Sequence, residues 1–245
     1  MKEIFKKIGK FCLKAALIFF AASIISVIIF RWVPIPFTPL MGIRIVEQIM
    51  GGKKIKCHKD WKSIDKISPN LPLAVVCSED QLFMEHHGFD MNAIEKAIEY
   101  NKKKKGKKVK GASTISQQTA KNVFLWQGRS WVRKGFEVYF TTLIELIWSK
   151  ERIMEVYLNV IEMGDGVYGA QAASQEYFKK DAKKIAQGEA ALIAAVLPNP
   201  RKWNPAKPTK YVLKRQSWVL RQMNYHGGCI ELEPIEEVGD EEVAK

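Results

Sequence analysis

The stretch FCLKAALIFFAASIISVIIF, Phe11 to Phe30, is 20 residues long and interrupted by one charge, Lys14. A helix of that length rises about 30 Å, which matches the hydrocarbon thickness of a bilayer. Lys14 lies close enough to one end to snorkel toward the interface. Lys2, Lys6, Lys7 and Lys10 precede the run, whereas Arg31 is followed by no further basic residue until Arg44. The positive-inside rule then predicts a cytoplasmic N-terminus, with everything after Arg31 on the outer side. A cleaved signal peptide is the alternative. Its apolar core would be shorter, about 7–15 residues, and would lead into a small-x-small site. Here RWVPIPF follows, so the run is read as an uncleaved transmembrane helix.

An anchor narrows what the rest of the chain can be. At 245 residues, with 47% hydrophobic and 27% charged, the chain has material for one sizeable domain behind it. The formal charge of +13 is unevenly spread, because residues 231–245 carry seven acids (Glu231, Glu233, Glu236, Glu237, Asp240, Glu241, Glu242) and one Lys. The remaining 230 residues stand at +19, which points to an anionic partner. Beside a membrane anchor, lipid and phosphate are favoured over nucleic acid. Cys12 falls in the anchor, leaving Cys57, Cys77 and Cys229 with no CxxC pair. That pattern argues against a disulfide framework and against a zinc site.

The expected organisation is a cytoplasmic basic segment (1–10), a transmembrane helix (11–30), a membrane-proximal connector (31–60), a catalytic domain (61–228) and an acidic tail (229–245). Prolines 34, 36 and 39 end the anchor and open the connector. Beyond Pro69 the patterning is predominantly helical. One helix is predicted through LAVVCSEDQLFME and another over NAIEKAIEY, followed by a basic loop with seven lysines between Lys102 and Lys110. Helices follow from Ser113 to Phe178, broken at QGRS and GDGVYG. QGEAALIAAVLPNP is stopped by Pro198, and a last helix is stopped by the pair Gly227-Gly228. No strand-rich module or phosphate-binding glycine loop is present in this pattern.

The polar residues are unusual in one helix. In KGASTISQQTAKNVFLW, Ser113, Gln117 and Lys121 recur at four-residue steps and line one side, with Gln118 and Asn122 in a second row. A solvated face usually mixes Glu with Lys, so this stripe is read as holding a ligand. In SEDQLFMEHHGFD the acidic pair Glu79-Asp80 follows an apolar run. If the helix continues, Glu79 shares a face with Phe83, and desolvation beside the ring would make it a stronger base. A helix-dipole acid is the plainer alternative. His86 and His87 are adjacent and read as structural hydrogen-bonding residues. Arg133 and Glu137 stand at i, i+4, which alone means an ion pair.

Four blocks occur in order: EDxxFxxHxG (Glu79–Gly88), GxSTxxQQxxKN (Gly111–Asn122), RKxxE (Arg133–Glu137) and KxxIxxxYLN (Lys150–Asn159). Together they resemble the signature blocks of the peptidoglycan glycosyltransferases, glycosyltransferase family 51. The resemblance runs from about Trp61 to Pro205, behind a single anchor and with no penicillin-binding domain after it, as in the monofunctional branch. It implies a mainly α, lysozyme-like fold and polymerisation of lipid II into glycan strands by inverting transfer. It further implies Glu79 as the base on the 4-hydroxyl of the acceptor N-acetylglucosamine. Glu137 would be a second carboxylate, orienting cations or assisting the leaving group. Ser113, Gln117, Gln118, Lys121, Asn122, Arg129 and Arg133 would contact donor sugar and pyrophosphate. The family often has a Lys just before the second Glu, where this chain has Phe136. Either that cation is missing or Lys134 replaces it.

Two other classes were weighed. A membrane-anchored lysozyme-like hydrolase or lytic enzyme needs an acid but has no use for a Lys/Arg cluster. A tethered anionic-lipid-binding module explains the lysine loop but not Glu79 or the Gln pair. The expected partners are lipid II, the growing glycan strand, membrane lipids and other cell-wall synthesis proteins, with no nucleic acid. No cofactor is demanded. A divalent cation (Mg or Mn) at the pyrophosphate is chemically compatible, but no ligand cluster calls for it. The expected location is the bacterial inner membrane, with the catalytic domain on the periplasmic side.

Overall fold

The computed structural model describes residues 2–104, 110–128, 130–228, 230 and 232. The middle of the lysine loop, Arg129, Cys229 and most of the expected acidic tail lie outside the described residues. The chain separates into two compact units, one ending at Pro34 and the other beginning at Ile35.

The first unit is a single helix, α1 (Lys2–Phe30). It runs without a break through the basic segment and the apolar span. Lys, Glu and Ile are helix-compatible, and no Gly-Pro or turn cluster separates Lys10 from Phe11. Among the described residues it is the one helix long and apolar enough to cross a membrane. Its two hydroxyls are satisfied within the helix, Ser23 Oγ donating to Phe20 O (2.8 Å) and Ser26 Oγ to Ser23 O (2.7 Å). That matters in hydrocarbon, where no water can take those bonds.

The connector contains structure that composition did not reveal. Helix α2 (Pro39–Met50) starts at a Thr-Pro pair: the Thr38 side chain accepts from Met41 N, and Pro39 occupies a position that needs no N–H. Leu40 and Met41 pack with Tyr168 in a buried cluster. Gln48 clasps the backbone of Lys56 in both directions, donating to its carbonyl (3.1 Å) and accepting from its N–H (2.7 Å). The Arg44 guanidinium donates to the buried Glu162 carboxylate at 3.2 Å.

The main body is helical. It comprises α3 (Asn70–Glu79), α4 (Met91–Lys103), α5 (Ile115–Phe124), α6 (Trp131–Ile147), α7 (Lys150–Val160), α8 (Ala170–Phe178), α9 (Gln187–Val196) and α10 (Lys210–Tyr225). Helix α3 is buried all round from Leu71 to Cys77, so it must be covered on several sides, and α9 and α10 pack against it. The alanines of α9 (Ala190, Ala191, Ala194, Ala195) are all buried and allow close approach. On the other side α5 packs against α6 and α7. Ile153, Tyr157 and Leu158 of α7 are fully buried, as expected of that segment. Each such side chain contributes on the order of 1.5–3 kcal/mol of burial. Asn159 ties α7 to the chain before α3, accepting from Lys62 N (2.8 Å) and donating to Lys62 O (2.7 Å).

The GDG segment makes a small sheet. Strand β1 (His58–Lys59) runs parallel to β3 (Val167–Tyr168), which pairs antiparallel with β2 (Glu162–Gly164). Gly166 makes the turn at φ +69, and a Cβ there would lie 2.3 Å from Lys56 O. Both a left-handed backbone and the space are needed, so only Gly fits. Gly166→Ala is therefore expected to destabilise the second unit by at least about 1–2 kcal/mol. Thermal unfolding of the detergent-solubilised protein checks this, and an unchanged midpoint would refute it.

Candidate active site

Helix α3 ends earlier than periodicity predicts. It stops at Glu79, and Asp80 leaves the helix at φ −161. The cause is a tertiary bond. Asp80 Oδ2 accepts from Ile115 N (2.9 Å), the first N–H of α5. Its other oxygen is 2.9 Å from His86 Nε2, while Gly88 N donates to His86 Nδ1 at 3.1 Å. That pair of bonds assigns the His86 proton to Nε2, donating to Asp80. Asp80 is thus a buried anchor for the positive end of α5, and His86 is structural as read. His87 is exposed.

A second network holds the same helix end. Thr114 caps α5 and shares a capping box with Gln117, and Thr114 Oγ1 donates to Gly88 O (2.7 Å). Ser116 donates to Glu145 of α6, which also accepts from Lys150 Nζ (2.9 Å). Lys150 reaches His86 O (2.6 Å) and lies 4.7 Å from the Phe83 ring centroid. The expectation that Phe83 shares a helix face with Glu79 is therefore corrected. The helix has ended, and Phe83 is fully buried beneath Lys150.

Glu79 is desolvated by other neighbours. Its side chain is 13% exposed. One oxygen accepts from Gln118 Nε2 (3.2 Å) and the other from Ser78 Oγ (3.2 Å), with Arg215 Nη2 of α10 3.6 Å away. The Tyr157 hydroxyl donates to Gln118 Oε1 (3.3 Å), which fixes the amide so that its NH₂ faces Glu79. Burial pushes the Glu79 carboxyl above its usual range, against the opposing pull of Gln118, Arg215 and Ser78. The direction is the one expected for a base poised closer to neutrality.

Beside Glu79 lies a pocket of about 110 Å³ lined by Ser113, Gln117, Gln118, Lys121, Arg133, Lys134 and Glu137. The structure thus brings together most of the residues singled out in the sequence. Ser113 precedes α5 rather than riding on it, yet reaches the same pocket. Glu137 is 4% exposed and already paired, with Arg133 Nη1 at 2.6 Å and Lys134 Nζ at 2.5 Å on separate oxygens. Arg133 also donates from Nε to Gly128 O (2.8 Å). Lys121 has no hydrogen-bond or ion-pair partner among the described residues. Burial lowers its pKa while the nearby Glu137 raises it.

One predicted contact differs. Asn122 is buried and donates to Gln118 O at 2.7 Å, so it braces the helix and is not among the lining residues. Arg129 lies outside the described residues. Lys134 stands at the pocket wall, and Phe136 packs against Trp126, their centroids 6.2 Å apart. Sequence reading missed Ser78, Tyr157's bond to Gln118, the Glu145–Lys150 pair and Arg215. The KxxIxxxYLN block held a signal for Lys150 and Tyr157; Arg215 lies outside all four blocks.

A pocket with one unpaired and two paired cations should bind polyphosphate. Lys121→Ala is expected to weaken inorganic pyrophosphate binding by roughly tenfold or more, since a charge-assisted bond is lost. In the unaltered protein this binding should fall as pH rises through the lowered Lys121 pKa. Calorimetric titration measures both, and an unchanged affinity in the variant would contradict the assignment.

A family model described as Transglycosylase matches residues 46–224. The chain is 59% identical to the biosynthetic peptidoglycan transglycosylase of Bacteroides thetaiotaomicron over 219 residues, covering 89% of this chain and 88% of that one. It is 54% identical to the protein of the same name from Bdellovibrio bacteriovorus over 223 residues, 91% and 88% of the two chains. With that of Pseudomonas syringae pv. syringae it shares 52% over 215 residues, 88% and 90%. Matched along most of its length, and carrying a buried carboxylate beside a cationic pocket, this chain belongs to the transglycosylase family.

Proposed function

We propose that this chain, a peptidoglycan glycosyltransferase, polymerises lipid II by passing the growing glycan from undecaprenyl pyrophosphate to the 4-hydroxyl of an acceptor N-acetylglucosamine. The observation that carries this reading is a shared residue. Gln118 lines the cationic pocket and donates to Glu79, so a base and a phosphate-binding site meet across one amide. Inverting displacement needs that arrangement, with the nucleophile activated on the face opposite the leaving group.

In this reading Glu79 removes the acceptor hydroxyl proton as the new C–O bond forms and the pyrophosphate departs. Lys121 meets the negative charge developing on the leaving oxygen. Carried on α5 and unpaired among the described residues, it has no partner there to give up in doing so. Arg133 and Lys134 supply further cations, and Glu137 holds both by ion pairs. Its role is orientation of those cations, because both its oxygens are already occupied. Ser113 and the Gln117 amide face the donor. Of the described lining residues, Glu137 is the one carboxylate. The protein's own donor set is therefore a poor cage for Mg or Mn, and the cations carry the phosphate charge.

A raised carboxyl would equally suit the acid of a lysozyme-like hydrolase. The Lys/Arg pocket separates the two, since a sugar leaving group needs a proton and a pyrophosphate needs positive charge. The apolar helix α1 and the lysines that precede its apolar run support the matching placement: N-terminus in the cytoplasm, body on the periplasmic side of the inner membrane, close to lipid and to other cell-wall synthesis proteins.

Glu79→Gln is expected to lower polymerisation of labelled lipid II by about 10²-fold or more while the protein stays folded. Near-normal turnover by the folded variant would remove Glu79 from the mechanism. For topology, a reporter fused after Lys245 should be active only outside the cytoplasm; cytoplasmic activity would contradict the orientation.

A further inference from the structure

We infer that Arg215 of α10 is a positioning residue of the transfer reaction, acting on substrate only through the Glu79 carboxylate. The inference rests on the functional reading above and names a residue that the four sequence blocks do not contain.

Glu79 is gripped from two sides. Oε2 faces α5 and accepts from Gln118. Oε1 faces α10, with the Arg215 guanidinium at 3.6 Å. The grip on that side is indirect as well as direct. Arg215 Nη2 donates to Ser78 Oγ (3.0 Å) and approaches Ser78 O (3.4 Å). A hydroxyl that accepts from Arg215 must turn its single proton elsewhere, and its two acceptors within reach are Glu79 Oε1 and Ala194 O, each at 3.2 Å. Arg215 therefore both faces the carboxylate and helps orient the hydroxyl that donates to it.

The arginine is not placed for its own comfort. Its Nε is buried without a hydrogen-bond partner among the described residues, and the guanidinium carbon sits 6.0 Å from the Trp218 ring centroid. A residue serving only to hold α10 against the end of α3 would not need a charge, because Gln81, just past that end, bridges the two as a neutral group, its Nε2 donating to Cys77 O of α3 (3.3 Å) and to Gln222 Oε1 of α10 (3.2 Å). A cation at this distance favours the ionised carboxylate, the form that can accept the proton of the acceptor hydroxyl. After transfer, the neutral acid has lost its attraction to Arg215, so the same charge favours release of the proton and resets the base for the next addition.

The groups around Glu79 are few enough to assign a pH effect. Asp80 lies next to it at the end of α3 and disfavours added negative charge nearby; Tyr157 of α7 is fully buried, and burial together with those two carboxylates pushes its own ionisation far up, so it stands beside them as a neutral group. Gln118 of α5 and Ser78 are neutral donors, and α9 contributes the Ala194 carbonyl to Ser78. Arg215 is the one cation among the described residues that acts on Glu79. Removing it should move the acid limb of the rate profile to higher pH.

The experiment uses full-length, detergent-solubilised protein and labelled lipid II at saturation, with initial rates across pH and a melting temperature for each variant. Arg215→Met is expected to lose about tenfold on the acid side of the optimum and to return to within about twofold of the unaltered protein on the alkaline side. Arg215→Gln, which keeps a donor for Ser78 but no charge, should show the same displaced limb. It carries the test should Arg215→Met fail to fold. Arg215→Lys should restore much of the acid-side rate, and Gln222→Ala should leave the limb where it was. A loss equal at every pH and tracking the melting temperature, or an unaltered profile, overturns the inference. An unaltered protein that makes no polymer overturns the functional reading itself, and this inference with it.

Discussion

The bond from Asp80 to the first N–H of α5 organises the site. A buried carboxylate placed at a helix N-terminus satisfies a donor that has no partner inside the helix and meets the positive end of the dipole. It also ends α3, because Asp80 cannot continue that helix and reach Ile115. The two helices that meet here carry the two halves of the proposed chemistry, Glu79 on one and Gln117, Gln118 and Lys121 on the other. Every neighbouring contact reinforces the junction: His86 on Asp80, Thr114 on Gly88, and Ser116 and Lys150 on Glu145. The junction is polar throughout and nearly dry, so each member is costly to remove and the geometry is correspondingly well defined.

That junction also sorts the neighbouring charges by function. Asp80 is engaged through both oxygens and Glu145 through Oε1 with groups that hold the fold, and Glu137 through both oxygens with the cations of the pocket. Glu79 has weaker and longer contacts, two at 3.2 Å and one at 3.6 Å. Those looser contacts suit the base proposed for Glu79, which would exchange a proton each cycle and so cannot be bound as tightly as a group that only braces a helix. Lys121 shows the same economy on the cationic side, being left unpaired among the described residues while Arg133 and Lys134 are matched to Glu137.

Local signals in the sequence were read where the physics was local. The stop of α9 before Pro198 and of α10 before Gly227 is written in residues next to each helix end. The polar stripe of α5 was visible because helical spacing brings Gln117 and Lys121 together. The signal failed where the deciding partner lies far along the chain. Glu79 ends its helix because of Ile115, 35 residues beyond Asp80. Helix α2 is held by contacts with Lys56, Glu162 and Tyr168 that its own composition does not announce. Arg215 reaches Ser78 across 137 residues, and no spacing rule covers that.

Asn101, near the end of α4, holds the backbone of Lys110 from both sides, accepting from its N–H (2.7 Å) and donating to its carbonyl (3.0 Å). The two ends of the lysine-rich segment are thereby stapled before α5 begins. Insertions or deletions between them leave the register of the catalytic helix untouched, and the entropy of closing a longer segment rises only slowly, by about 0.6 kcal/mol per doubling.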